Sequence, residues 1–213
     1  MRPASTVAAR DTYRHGDLRR ALLEAGIALA RSGGPQAVTL REATRRAGVV
    51  PNAAYRHFNG QQDLLQAVRS AALSSIAVAM EQELSAIAAE LSPAAFAKAS
   101  LRAVGRGYLR FAFTEPGLFR TAFGTGPQQG QGRSTEQAGG SGLDPFQLLS
   151  LALDRMTAAS VLPAERRDGA EYLAWSAVHG LAMLVIDGPL RGMDGGRIEA
   201  AIARLLGMVE DGI

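Results

Sequence analysis

The chain reads as an all-α protein of about nine helices, a small N-terminal helical head on a larger helical bundle. Three observations predict it. Apolar residues return at three- and four-residue steps, as in Leu64, Leu65, Val68, Ala72, Ile76, Met80, Leu84 and Ile87. Glycine and proline punctuate these runs at Ser32-Gly33-Gly34-Pro35, Glu115-Pro116-Gly117 and Gly188-Pro189, where a helix cannot continue. No segment sustains the alternation of a half-buried strand.

Residues 1–12 are small and polar and read as a flexible arm. From Gly16 to Arg31, Leu18, Leu22, Ala25, Ile27 and Leu29 give one apolar face, with Arg19 and Arg20 outside it. Thr39-Leu40-Arg41-Glu42 then has capping-box spacing: the hydroxyl can accept from the Glu42 amide while the carboxylate reaches back. Gly48 stands where a short helix would end in a left-handed residue. Pro51 suits the first turn of a second helix, about Pro51 to Phe58. Asn52, Ala53, Arg56 and His57 are expected on its outer face, with Ala54, Tyr55 and Phe58 turned at least partly inward. A helix, a tight glycine turn and a helix with a polar outer face make a helix-turn-helix, whose second helix enters a DNA major groove.

A long helix from Gln61 to about Glu90 joins head to body, with Asp63 near its positive end. Ser92-Pro93 starts the next, which runs to Thr114, and Leu118–Phe123 continues apolar. Residues 124–142 are rich in Gly, Gln and Ser, hold no large hydrophobic side chain, and read as a mobile loop. Asp144-Pro145 caps a helix through Met156, Pro163-Ala164-Glu165 opens one that runs to Ile186, and a last helix covers about Gly195 to Glu210.

Thr39-Leu40-Arg41-Glu42, Ala47-Gly48-Val49, Tyr55-Arg56-His57-Phe58 and Leu64-Leu65 resemble the DNA-binding head of the TetR family of bacterial transcription regulators. Tyr13-Arg14-His15-Gly16-Asp17-Leu18-Arg19 is similar to the lead-in of that family's first helix, and Trp175-Ser176-Ala177-Val178-His179-Gly180 resembles the Trp-x-x-x-His-Gly element of one type of TetR regulatory domain. The resemblance implies a DNA-binding domain over 1–60 and a ligand-sensing, dimer-forming domain over 61–213. It also implies a homodimer on a double-stranded, palindromic DNA operator, usually a repressor, released by a small-molecule effector. Four positions depart from the pattern. Val50 replaces a capping Ser or Thr, Gln61 a phosphate-binding Lys, and Ala43 and Ala54 larger aliphatic residues. A helical ligand-binding or interaction bundle that no longer binds DNA is the alternative those departures keep open.

Charge agrees with a nucleic-acid contact at one end. Residues 1–62 hold ten arginines against four acids, whereas the remainder carries a slight acidic excess. The chain has no cysteine, which excludes disulfides, thiolate metal sites and cysteine nucleophiles. His15, His57 and His179 are not at ligand spacing, and no nucleophile elbow, phosphate loop or dinucleotide fingerprint occurs. No enzyme activity, metal or cofactor is expected. The apolar runs fall short of the roughly 20 residues of a membrane span, so a soluble, cytoplasmic protein with no membrane partner is expected.

The expected DNA-contacting set is Thr39, Arg41, Arg45, Val50, Pro51, Asn52, Ala53, Tyr55, Arg56 and His57. Asn and Arg suit adenine and guanine edges, while hydroxyl, phenol and imidazole groups suit phosphates. Helix bundles also place ligand sites between helices, lined by aromatic and apolar side chains. Here the candidates are Phe96, Tyr108, Phe111, Phe119, Phe123, Met156, Trp175, His179 and Met183. The composition of the last two helices points to a dimer surface formed by Val178, Leu181, Ala182, Val185, Ile202, Leu205, Leu206 and Val209.

Overall fold

A computed structural model describes residues 15–124 and 135–213. The expected arm at 1–12, and residues 125–134 of the expected loop, lie outside the described residues. Nine α-helices and no strand occur among those described: α1 His15–Gly33, α2 Leu40–Arg46, α3 Pro51–Ala54, α4 Gln61–Ser85, α5 Pro93–Thr114, α6 Pro116–Phe123, α7 Pro145–Ala158, α8 Ala170–Ile186 and α9 Gly195–Gly212.

Helices α1 to α3 form the head, and α4 leaves it to pack along α5. The head's core is small: Leu22, Ala43, Ala54, Phe58, Leu64 and Val68 are all essentially sealed from solvent. Leu64 and Val68 belong to α4, so the linking helix is itself part of the head's core. The other end of α4 buries Ile76 and Met80 in the body. The crossing with α5 is close because Gly107 lies there: a Cβ on it would sit 2.6 Å from the Ala79 carbonyl oxygen. Glycine at position 107 is therefore a packing requirement, since van der Waals contact admits no such overlap.

Helix starts follow local chemistry. Ser92 caps α5 by accepting from the Ala95 amide, and Asp144 caps α7 through a full capping box with Gln147. Three expected boundaries move. Helix α4 ends at Ser85 rather than near Glu90, and α8 begins at Ala170. The stretch Ala164–Arg166 is a separate turn of 3-10 helix, because Gly169 takes a left-handed φ of 73° between the two. Helix α3 is a single turn, shorter than the expected Pro51–Phe58. Val50 offers it no side-chain cap, and a one-turn helix has no interior to propagate from.

The expectation of a mobile loop over 124–142 is corrected for its second half. Residues Thr135–Gln137 form a turn, and Ala138 O accepts from Ser74 Oγ at 2.7 Å. The Glu81 carboxylate then accepts the amides of Gly140 and Ser141, each at 2.8 Å. Burial raises the pKa of Glu81, but the hydrogen bonds from Ser141 and Gly140 outweigh that and hold it below its ordinary value. Backbone polar groups, which composition does not report, anchor this segment to α4.

Candidate nucleic-acid interface and ligand cavity

The helix-turn-helix is set by its caps and its buried alanines. Thr39 accepts from the Glu42 amide at 3.2 Å, but the return half of the capping box is absent. The Glu42 carboxylate turns instead to Arg45, whose Nε donates at 2.9 Å, and to Arg46 at 3.7 Å. Its pKa is lowered, first by the hydrogen bond from Arg45. Gly48 makes the turn at φ 68°, a conformation that glycine adopts without steric cost. Ala54 and Phe58, one turn apart, face the core at 0% and 1% exposure.

Around that core the expected DNA-contacting residues are at least partly exposed. Arg41, Arg45, Val50, Pro51, Asn52, Tyr55 and Arg56 are exposed, and Thr39, Ala53 and His57 are half-buried. Tyr55 corrects the sequence reading: the residue is 59% exposed rather than turned partly inward. Ala54 and Phe58 already fill the inward face, and Tyr55 lies about 100° around the axis from Ala54. Val50, expected as a contact without a cap, is 69% exposed. Arg45 is committed to Glu42, while Arg41 and Arg56 have no ion-pair partner among the described residues.

The body holds a cavity of about 420 Å³ between α4, α5, α6, α7, α8 and α9. Of the nine expected lining residues, Tyr108, Phe123 and Trp175 line it. Phe119 and His179 stand behind them in a continuous aromatic cluster, with Phe119 edge-on to Tyr108 at 5.4 Å and Phe123 edge-on to His179 at 4.9 Å. The other four are corrected. Met156 and Phe111 are buried away from the cavity, and Phe96 and Met183 are exposed at 36% each. Phe96 sits in the first turn of α5 under the Arg155 guanidinium. Met183 misses the buried row Ala170, Ala174, Val178, Ala182, Ile186, which repeats at four-residue steps.

One hydrogen-bond chain runs through the cluster. Trp175 Nε1 donates to the Tyr108 oxygen at 3.1 Å, and Tyr108 pairs with His179 Nδ1 at 2.8 Å. An indole N–H can only donate, which leaves the tyrosine hydroxyl hydrogen available to Nδ1; that arrangement fits the Nε2–H tautomer of His179. Burial raises the Tyr108 pKa and lowers that of His179, so both groups are neutral near pH 7.

The sequence reading missed the α4 wall of the cavity, Gln66, Arg69, Leu73 and Met80, together with Gln137 and Asp144. A signal was present. Positions 66, 69, 73 and 80 fall on one helical face, and the polar pair at its start looks like surface until the neighbouring segment covers it.

The expected dimer surface is corrected most. Val178, Ala182, Ile202, Leu206 and Val209 are buried within the chain itself, and Val178, Leu206 and Val209 line the cavity. Leu181, Val185 and Leu205 are half-buried. The apolar groups left outside on these helices are Tyr172, Leu173, Met183 and Leu184 on α8 and Met208 on α9. Helices α5 and α9 are also joined by Glu210, whose nearly buried carboxylate meets Lys98 at 3.0 Å and Arg102.

Comparison with known proteins agrees with this fold. The family model for bacterial regulatory proteins of the tetR family matches residues 22–68, and the model for the tetracyclin repressor-like C-terminal domain matches residues 101–209. The chain belongs to the TetR family of bacterial transcription regulators. Solved structures share the fold of this TetR-family regulator at low identity. A protein of unknown function from Rhodococcus sp. RHA1 superposes with a TM-score of 0.74 at 22% identity, covering 96% of this chain and 99% of that one. A TetR family transcription regulator from Marinobacter aquaeolei VT8 gives 0.60 at 19%, covering 89% and 94%. The TetR family regulator PfmR from Thermus thermophilus gives 0.58 at 18%, covering 90% and 95%. No curated protein sequence matches the chain. The Trp175, His179 and Gly180 element lies inside the C-terminal match. Among the described residues no cluster of His, Cys, Asp or Glu could hold a metal ion, and no helix is long and apolar enough to cross a membrane.

Proposed function

We propose that this TetR-family chain is a cytoplasmic, ligand-responsive regulator that binds a palindromic DNA operator as a homodimer. In this reading it represses until a small molecule fills the body cavity. The observation that carries the proposal is the double duty of α4. Leu64 and Val68 pack into the head, while Arg69, Leu73 and Met80 on the same helix line the cavity. A ligand that displaces the cavity face of α4 must therefore displace the head, since packed interiors transmit strain rather than absorb it.

Two heads one helical turn apart, about 34–36 Å, are needed to read both halves of a palindrome. An apolar stripe on α8 and α9 supports holding them there. On α8, Leu173, Ala177, Gly180 and Leu184 fall on one side, and on α9 so do Ala200, Ala203 and Gly207. A Cβ on Gly180 or Gly207 would meet nothing within 4 Å in the single chain. Such a flat, small-residue face suits close approach by its own symmetry mate. This moves the proposed interface from the inward residues of α8 and α9 to their outward ones.

The DNA reading is tested by gel shift on the promoter region beside the protein's own gene, at graded salt. With several arginines per head, affinity should fall by about 10³-fold or more between 50 and 200 mM salt. Salt-insensitive binding, or none, would favour the second reading, a ligand-binding bundle with an inactive head. The uncapped, single-turn α3 is the observation on that side.

A further inference from the structure

The cavity wall carries one cation, Arg69, and one carboxylate, Asp144. The Arg69 side chain is on the wall, and the residue is 6% exposed. Its guanidinium donates to three neutral acceptors: Thr121 O at 3.3 Å, Gln66 Oε1 at 3.3 Å and Gly124 O at 3.0 Å. No carboxylate lies within ion-pair distance of it among the described residues. An arginine has five N–H groups, so two remain for a further acceptor. A buried cation whose partners are all neutral is costly, and an anion brought beside it relieves that cost.

Gln137 apart, the remaining polar groups on the wall are engaged elsewhere. Asp144 lines the cavity too, but its Oδ1 accepts the Gln147 amide at 2.8 Å at the start of α7, where the helix dipole favours its charge. The Tyr108 hydroxyl and the Trp175 indole N–H are used by each other and by His179. Beyond Arg69 the wall turns apolar. From Gln66 to Met80 the cavity follows α4 for about 21 Å at roughly 1.5 Å per residue, and Leu101, Val104, Leu206 and Val209 are among its apolar lining.

We propose that the effector is an amphiphilic anion, with a carboxylate- or sulfate-like head on Arg69 and an elongated apolar body lying along α4 toward Met80. The proposal rests on reading the cavity as the effector site. Trp175 is the only tryptophan of the chain and lines the cavity, so its fluorescence reports occupancy directly. The purified full chain is titrated with decanoate, decyl sulfate, decanol and decyltrimethylammonium, each below its micelle threshold. Both anions should shift the Trp175 emission and bind at least about tenfold more tightly than decanol, the size of one lost charge-assisted hydrogen bond. The ammonium should bind more weakly still. In Arg69→Gln, with its helical circular dichroism unchanged, decanoate and decanol should bind alike. Decanol or the ammonium binding as tightly as decanoate to the unaltered chain overturns the anion assignment while keeping the cavity as a ligand site. The same holds if folded Arg69→Gln keeps the preference. No response to any of the four overturns both, and because that arm uses the unaltered chain it does not depend on the variant folding.

Discussion

The outer face of the head and the outer face of α8 and α9 are built from opposite materials. The head presents Arg41, Arg45, Asn52, Tyr55 and Arg56 around a turn held by Ala54 and Phe58. Helices α8 and α9 present Leu173, Leu184 and Met208 with small residues between them. The first is charged and leans on a thin core; the second is apolar and lies on a core braced by Glu210 with Lys98 and Arg102. The difference matches two kinds of partner. A polyanion is attracted by cations that stay hydrated until contact. A copy of the chain is held by apolar area removed from water. Neither face could do the other's work, so changes made to one should separate from changes made to the other.

The largest separation is expected at Leu184, 44% exposed on the α8 face. In a two-fold seam, Leu184→Arg places each new charge near its mate, and burying unpaired charges costs several kcal/mol each. The variant should sediment as a monomer and lose operator binding although every head residue is intact. A dimer that still binds its operator would remove the interface from α8. Next in size is the head. Arg56→Ala removes one exposed cation with no ion-pair partner among the described residues, which should cost about 1–3 kcal/mol of operator affinity if it reads a base. Sedimentation should be unchanged, and the slope of log affinity against log salt should fall by about one if the contact is a phosphate. Loss of the dimer in this variant would show that the two faces are not independent.

The smallest effect is expected to be a gain. Val50→Ser gives α3 the side-chain cap it lacks, and such caps are worth about 0.5–2 kcal/mol. Thermal unfolding should rise slightly, and operator affinity should improve because less ordering is left to the DNA. No change in either would mean that packing through Ala54 and Phe58 already fixes α3, and that its missing cap is of no consequence.

Several features were legible from the residues alone because their causes are local. The nine-helix reading rests on apolar spacing and on proline and glycine stops, and each acts within a turn or two of chain. The caps at Thr39, Ser92 and Asp144 are also local, since a side chain reaches only an amide two or three residues away. Some local readings still failed, the ends of α3 and α4 among them. Glu42 prefers Arg45 and Arg46 to its own capping box, and Gly169 interrupts what looked like one helix after Pro163. Both were close competitions between neighbouring groups.

What tertiary structure decided is which side of each helix faces in. Val178, Leu206 and Val209 have the composition of an interface, yet α5 covers them and they line a cavity instead. Arg69 reads as surface charge until α6 and Gly124 just after it close over it. Residues 135–142 have the composition of a loose loop, yet one carboxylate on α4, far away in sequence, gathers their amides. Apolar periodicity gives the direction of a helix's buried stripe but not the identity of what lies against it. That identity is set by contacts between residues distant in the chain, and no local pattern contains them.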